Sequence, residues 1–177
     1  VTFENSTAKV QLQELLSAID ELKETNIIFT KANSDTDGRI INKIIDDYAA
    51  KNDSKARAFD SLGQLRYLSA LQYIDAVVGN SSSGLIEAPS FNIGTINIGD
   101  RQKGRIKAKS IIDCLPDRKS INEAFEKLYK KEFQSEIKTI KNPYGDGCAS
   151  KPIIEVLKTV NLENILKKEF FNIEFTL

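Results

Sequence analysis

Asp75-Ala76-Val77-Val78-Gly79-Asn80-Ser81-Ser82-Ser83-Gly84 begins as a short apolar run, stops abruptly at glycine and turns polar. An apolar run of this length, closed by a turn signal, reads as a buried strand. Residues Ser83 to Phe91, which follow it, read as a helix. The same alternation extends in both directions. Upstream, Val1-Thr2-Phe3 reads as a strand stub. Val10, Leu12, Leu15, Leu16, Ile19 and Leu22 recur at helical spacing over 6–24, behind a Ser6 or Thr7 cap. Asn26 to Thr30 predicts a second buried strand, and Ile40, Ile41, Ile44, Ile45 and Tyr48 form the stripe of a second helix. Ala56 to Phe59 is a weaker strand, and Leu65, Leu68 and Leu71 mark a helix over 62–73. Downstream, strands are predicted over Thr95–Ile98 and Ser110–Asp113, and helices over Ser120–Phe133, Pro152–Val160 and Leu162–Phe170. Strands alternating with helices predict an α/β fold, a Rossmann-like parallel sheet with helices on both faces.

Composition bounds the partners. With 177 residues the chain holds one domain with a real core. We expect that domain over 1–160, and an apolar tail over 161–177 whose Phe170, Phe171, Ile173 and Phe175 dock on the same or another domain. Twenty-five basic residues balance twenty-five acidic ones, so no global field draws the chain to nucleic acid or membrane. No apolar run approaches the ~20 residues of a membrane span. Cys114 and Cys148 lie far apart without CxxC spacing. Two reduced thiols of a cytoplasmic protein are the preferred reading, a structural disulfide the alternative. There is no His, which removes an imidazole base, a Ser–His pair and any His metal ligand. No cofactor and no metal is expected. There is also no Met, even at position 1, and the chain reads as a piece of a longer protein.

An anion site is predicted where the best strand meets its helix. Ligands of doubly wound sheets sit beyond the carboxyl ends of the strands. There, Gly79 and Gly84 permit tight turns and close backbone approach, Ser81, Ser82 and Ser83 offer hydroxyls, and first-turn N–H groups point outward. Neither GxGxxG nor GxxxxGK[ST] is present. Glu87, one turn into the helix, is a poor neighbour for a diphosphate but a good acceptor for a ribose diol. Arg101, Lys103 and Arg105 follow the next strand and add positive charge. Each part has an ordinary reading by itself: an N-cap, a solvated helix carboxylate, a wet basic loop. Their clustering at successive strand ends favours the site.

The stretch Gly79-Asn80-Ser81-Ser82-Ser83-Gly84-Leu85-Ile86-Glu87-Ala88-Pro89-Ser90, continuing through Asn97-Ile98-Gly99-Asp100-Arg101-Gln102-Lys103-Gly104-Arg105, resembles the UDP-N-acetylglucosamine 2-epimerase family, in its hydrolysing branch, which feeds synthesis of sialic-acid-type sugars. The resemblance runs from Glu4 through Asn142-Pro143-Tyr144-Gly145-Asp146-Gly147 to about Val160. It implies one half of a GT-B architecture, the UDP-binding domain. It further implies that Ser81, Ser82, Ser83 and Gly84 hold the diphosphate, that Glu87 accepts the ribose hydroxyls, and that Arg101 borders diphosphate and sugar. Phe59 and Leu62 would pack on the uracil, and Asn33 would line the cleft, unless it is a plain turn residue. The Tyr144-Gly145-Asp146-Gly147 turn resembles an element near the domain crossover, or simply starts the next helix. The family's His-Pro-x-Thr loop has no counterpart between Phe3 and Glu4, and no role is carried over for it.

By the same resemblance the partner is a UDP-sugar, either N-acetylglucosamine-linked or a diacetamido-trideoxy analogue. Family members are often dimers or tetramers, which implies a homo-oligomer. The acidic residues that move protons belong to the family's other domain, so this chain alone is expected to bind UDP without turnover. Two alternatives stand beside this one: the nucleotide domain of a GT-B glycosyltransferase, and a non-catalytic Rossmann-like interaction module.

Overall fold

The computed structural model describes residues 7–33, 37–163 and 166. Its first helix, α1 (Ala8–Asp20), opens where Thr7 Oγ1 accepts the Val10 N–H, and it stops short of the predicted 24. Strand β1 (Ile27–Thr30) leads to α2 (Gly38–Lys51), β2 (Ala56–Phe59) and α3 (Gly63–Ala70). Then come β3 (Ala76–Gly79), the single turn α4 (Ser83–Ile86), a 3-10 turn (Ala88–Phe91), β4 (Gly94–Ile98) and β5 (Ile111–Cys114). Helices α5 (Arg118–Leu128), α6 (Lys131–Ile137) and α7 (Ser150–Thr159) complete the described order.

Among the described residues every pairing is parallel, β1 with β2 and β3–β4–β5 in that order. The described strands therefore form two ladders where one continuous sheet was expected. In the Rossmann order the first strand stands between the second and the fourth. The segment read as that strand, Val1–Phe3, lies outside the described residues, as does the Phe170–Phe175 tail. Parallel pairing sends the carboxyl ends of all strands in a sheet to one edge, which is what gathers the loops of interest.

Alternation along β4 sorts the two faces. Gly94, Ile96 and Ile98 face α5 and α6: a Cβ on Gly94 would stand 2.3 Å from Leu128 Cδ1. Thr95 faces α4 instead, since a Cβ on Gly84 would stand 2.7 Å from Thr95 Cγ2. All five β4 residues are buried, as befits the central strand of its sheet. The core gathers Leu16, Ile19, Tyr48, Ile96, Ile112, Ile121, Phe125 and Leu128. Helices α1, α2 and α5 share one layer, since α1 packs on both others. Tyr48 shows how a polar atom is carried into that layer. Its ring meets Phe29 edge-on, and its hydroxyl donates to Asp20 Oδ1 at 2.6 Å, with Lys55 paired to the same oxygen.

Three expectations are corrected. The helix predicted over 120–133 breaks at extended Lys130, and α6 restarts at Lys131 so that Phe133 and Ile137 turn into the core. Leu65, assigned to an apolar stripe, is 81% exposed, because α3 buries no residue and its docking side chain is Leu71, just past the helix. Ile40 likewise stands half exposed at the start of α2. Residues Val1–Tyr144 form one compact unit and Gly145–Leu177 another. In the second, α7 exposes Ile153, Ile154, Val156 and Leu157. Neither cysteine is in a disulfide. Among the described residues no helix is long and apolar enough to cross a membrane.

Helix α5 supplies a stability prediction. Asp117 caps it by accepting the Ser120 N–H at 2.9 Å, and that backbone hydrogen bond holds the Asp117 carboxyl below the usual aspartate range. A depressed folded-state value stabilises the fold above the ordinary aspartate value, and the gain is lost as pH falls through the folded value. Asp117→Ala is expected to cost about 1 kcal/mol at neutral pH. Urea unfolding at pH 7 and in acid should show the gap between variant and wild type closing at the lower pH.

Candidate functional site

The loop after β3 is built by two glycines and a threonine. Gly79 has φ 144°, a backbone state that side-chain-bearing residues rarely adopt, and it turns the chain out of the strand. Gly84 lets α4 lie directly on β4, where Thr95 Oγ1 donates to the Gly84 carbonyl at 2.8 Å. Between them the Ser82 carbonyl accepts from both Leu85 and Ile86. The Ser83 N–H reaches Ser81 Oγ at 3.4 Å. The N–H groups of Ser81, Ser82 and Gly84 have no acceptor among the described residues. Free backbone donors clustered in a turn form an anion-binding concavity.

The helix behind this loop is shorter than the sequence suggests. The run read as helical over 83–91 is α-helical only to Ile86 and continues as the 3-10 turn. Pro89 has no N–H to give the Leu85 carbonyl, and its ring would clash with that carbonyl in a continuing helix. Asn92, at φ 54°, ends the turn. A single turn carries little macrodipole, so donor geometry, not a helix field, is what this loop offers an anion. Glu87 sits at the junction of the two turns, half-buried.

Tyr67 of α3 reaches across to this loop. Its Oη lies 2.7 Å from Ser83 Oγ, with either able to donate. Burial chiefly pushes the Tyr67 phenol up; Ser83 opposes that shift, and the negative charge of Glu87 adds to it. Ser83 is thus engaged by the protein, while exposed Ser81 and half-buried Ser82 are not so tied.

The loop after β4 forms the second wall. Arg101 is exposed, its Nη1 3.5 Å from Asn80 Oδ1, and Lys103 and Arg105 are exposed too. Next to Arg101, Gln102 is buried and donates through Nε2 to the Asn80 carbonyl at 2.8 Å. The loop is anchored at its other end by Lys107, which meets both Asp113 oxygens at 2.8 Å, while Asn97 Nδ2 donates to Asp113 Oδ1 at 2.7 Å. Tyr144 donates its hydroxyl hydrogen to the Ile106 carbonyl at 2.9 Å. Asn142 donates to the Ile86 carbonyl and Ser90 Oγ, both at 2.7 Å. Asn142, just ahead of the predicted turn, and Tyr144, its first residue, therefore brace both walls. A cavity of about 350 Å³ opens beneath this loop, lined by Gly99, Asp100, Lys103, Lys107, Asp113 and Leu115 among others. A larger recess, about 670 Å³, lies between α1 and α5, lined by Glu14, Glu21, Asp117, Arg118 and Asn122 among others.

Asn33, Phe59 and Leu62 occupy the carboxyl ends of β1 and β2. Asn33 is exposed, and its carbonyl lies so near Gly38 that a Cβ there would come within 2.3 Å. The adjoining Ala32 is clamped by Asn42, whose side-chain amide pairs with both the N–H and the carbonyl of Ala32. Phe59 is 42% exposed, and its carbonyl accepts the Lys31 N–H, so the two strand ends are joined. Lys31 also pairs with Asp46 and Asp60, and the Asp60 contact is the main cause that raises its ammonium. Half-buried Leu62 opens α3, the helix that carries Tyr67 to Ser83. Contacts thus unite Ser81, Ser83, Tyr67, Asn80, Arg101 and Gln102. They link Asn33, Phe59 and Leu62 to that group only through shared elements. Tyr67, Gln102 and Asn142 were not singled out from sequence; Gln102 and Asn142 stood inside the quoted motifs, but Tyr67 carried no local signal.

A family model described as UDP-N-acetylglucosamine 2-epimerase matches residues 1–158. The chain is 44% identical over 174 residues to the GDP/UDP-N,N'-diacetylbacillosamine 2-epimerase (hydrolyzing) of Campylobacter jejuni, covering 98% of the chain and 45% of that protein. It is 36% identical to the polysialic acid biosynthesis protein P7 of Escherichia coli, covering 97% of the chain and 44% of that protein. The chain thus spans less than half the length of these curated relatives. Among solved structures, it is similar in fold to Methanocaldococcus jannaschii UDP-GlcNAc 2-epimerase in complex with UDP-GlcNAc and UDP. There the TM-score is 0.63 at 20% identity, covering 85% of the chain and 41% of that one.

Proposed function

The chain belongs to the UDP-N-acetylglucosamine 2-epimerase family, and from that premise we propose that it is the UDP-holding domain of a hydrolysing UDP-sugar 2-epimerase. The observation that carries this reading is the loop of free N–H groups at Ser81, Ser82 and Gly84, with Arg101 on the facing wall. These donors match a diphosphate. Glu87 accepts from the ribose hydroxyls, Phe59 and Leu62 cover the uracil, and Asn33 lines the cleft. Ser83 contributes its hydroxyl while remaining bonded to Tyr67, since a hydroxyl has one donor and two acceptor positions.

In the reaction a base removes the proton from sugar C2, and the C1–O bond breaks with its electron pair leaving on UDP. The resulting glycal adds water to give the 2-epimeric free sugar. Negative charge grows on the leaving diphosphate, and pre-aimed N–H groups with Arg101 stabilise it without reorganisation. Proton transfer at C2 falls to groups outside this chain, so the isolated domain holds UDP and does not turn over substrate. No cofactor is required in this scheme.

The sugar is a 2-acetamido hexose. N-acetylglucosamine is the first candidate, from the family description, and a diacetamido-trideoxy sugar is the alternative, supported by the 44% identity to the Campylobacter enzyme. The test is a comparison of UDP release from each UDP-sugar by the full-length protein and by the isolated chain. Free 2-epimeric sugar plus UDP, formed by the full-length protein alone, is the expected result. A glycoside formed on an acceptor would instead mark a transferase of the same architecture, and turnover by the isolated chain would refute the division of labour.

A further inference from the structure

Gln102 is 97% buried by its 3% relative exposure, in a loop whose neighbours Arg101 and Lys103 are exposed. A polar side chain so enclosed is costly unless its hydrogen bonds serve the structure. Among the described residues its side chain makes one hydrogen bond, Nε2 to the Asn80 carbonyl at 2.8 Å, which spans from the β4 loop to the β3 loop, while its Oε1 is buried without a partner. The carbonyl it holds belongs to the peptide that joins Asn80 to Ser81. That peptide is planar and trans, as are all those among the described residues, so the Asn80 carbonyl and the Ser81 N–H point in opposite directions. Drawing the carbonyl inward to buried Gln102 turns the Ser81 N–H outward, and that N–H has no acceptor among the described residues.

We infer that Gln102 is a positioning residue for anion binding: it aims the Ser81 N–H at the diphosphate and ties the Arg101 wall to the serine wall. This rests on the UDP reading above and names the residue that orients its first donor. The direction of the amide also follows from chemistry. A carbonyl partner requires that the nitrogen end of the Gln102 amide face Asn80, so a side chain of similar length without a donor removes the bond while keeping the volume.

The test compares wild type and Gln102→Met, each titrated with UDP and with uridine. Positioning of a phosphate donor predicts that Gln102→Met weakens UDP by about tenfold, the loss of one hydrogen bond to a charged group, and leaves uridine unchanged. A folded Gln102→Met that binds UDP as wild type does overturns the inference, and so does an equal loss for UDP and uridine. If Gln102→Met does not fold, the wild-type Ser81 amide resonance decides. It should move downfield on saturation with UDP and stay in place with uridine, and a Ser81 amide indifferent to UDP overturns the assignment. Wild type that fails to bind UDP at all sinks the functional reading itself, which separates the two failures.

Discussion

Glu87→Ala is expected to weaken UDP by about 10- to 100-fold, the range for hydrogen bonds to a charged acceptor, while leaving inorganic pyrophosphate binding unchanged or slightly tighter. The asymmetry is the point of the experiment. A carboxylate one turn from the serine loop repels a diphosphate and helps the nucleotide only through neutral hydroxyls. Removing it deletes the ribose contact and, at the same time, a like charge. Deoxy-UDP lacking the ribose 2′ hydroxyl should lose affinity for wild type and lose little for Glu87→Ala, a coupling that a solvated surface carboxylate would not produce.

Gly84→Ala is expected to damage the site and the fold together. The new Cβ would stand 2.7 Å from Thr95 Cγ2, and Thr95 is 2% exposed on the central strand, with its hydroxyl fixed to the Gly84 carbonyl. A β-branched side chain in that position has no free rotamer to retreat into. The helical turn must lift from the sheet, an overpacking that costs about 1–3 kcal/mol. For a domain of this size that lowers the melting temperature by about 2–12 °C. The lifted turn carries the Ser82 and Gly84 N–H groups with it, so UDP should weaken by more than about tenfold even where the variant stays folded. Thermal melts followed by UDP titration below the transition would measure both. Unaltered affinity in a folded Gly84→Ala would mean that these N–H groups do not contact the ligand.

The strands were the most legible part of the fold. Ile27–Thr30, Ala56–Phe59 and Ala76–Gly79 stand within a residue of where their apolar runs place them. A buried parallel strand leaves a continuous apolar signature that competes with little else. Helix ends were less legible because distant contacts decide them. The break at Lys130 exists so that Phe133 can reach the core beside Gly94, a residue 39 positions earlier that no local pattern names. Leu65 obeyed the helical period and still faces solvent, since periodicity reports which residues share a face and not whether anything packs on it. Pro89 stands inside the run read as helical over 83–91, and its missing N–H is a local reason why α4 gives way to a 3-10 turn there.

For the candidate site, the sequence marked the loops and not their bracing. Ser81, Glu87 and Arg101 are visible by residue type at strand ends. Tyr67 acts through a hydrogen bond to Ser83 across 16 positions, and Gln102 through one to Asn80 across 22. Bonds over such separations come from the crossover geometry of the sheet, which brings consecutive strand ends together, and not from any spacing along the chain.

Calorimetric titration of the isolated chain with UDP tests the central claim most directly. The account predicts saturable one-to-one binding, tighter for UDP than for uridine and weaker as salt rises. A folded chain that shows no saturable UDP binding would contradict it.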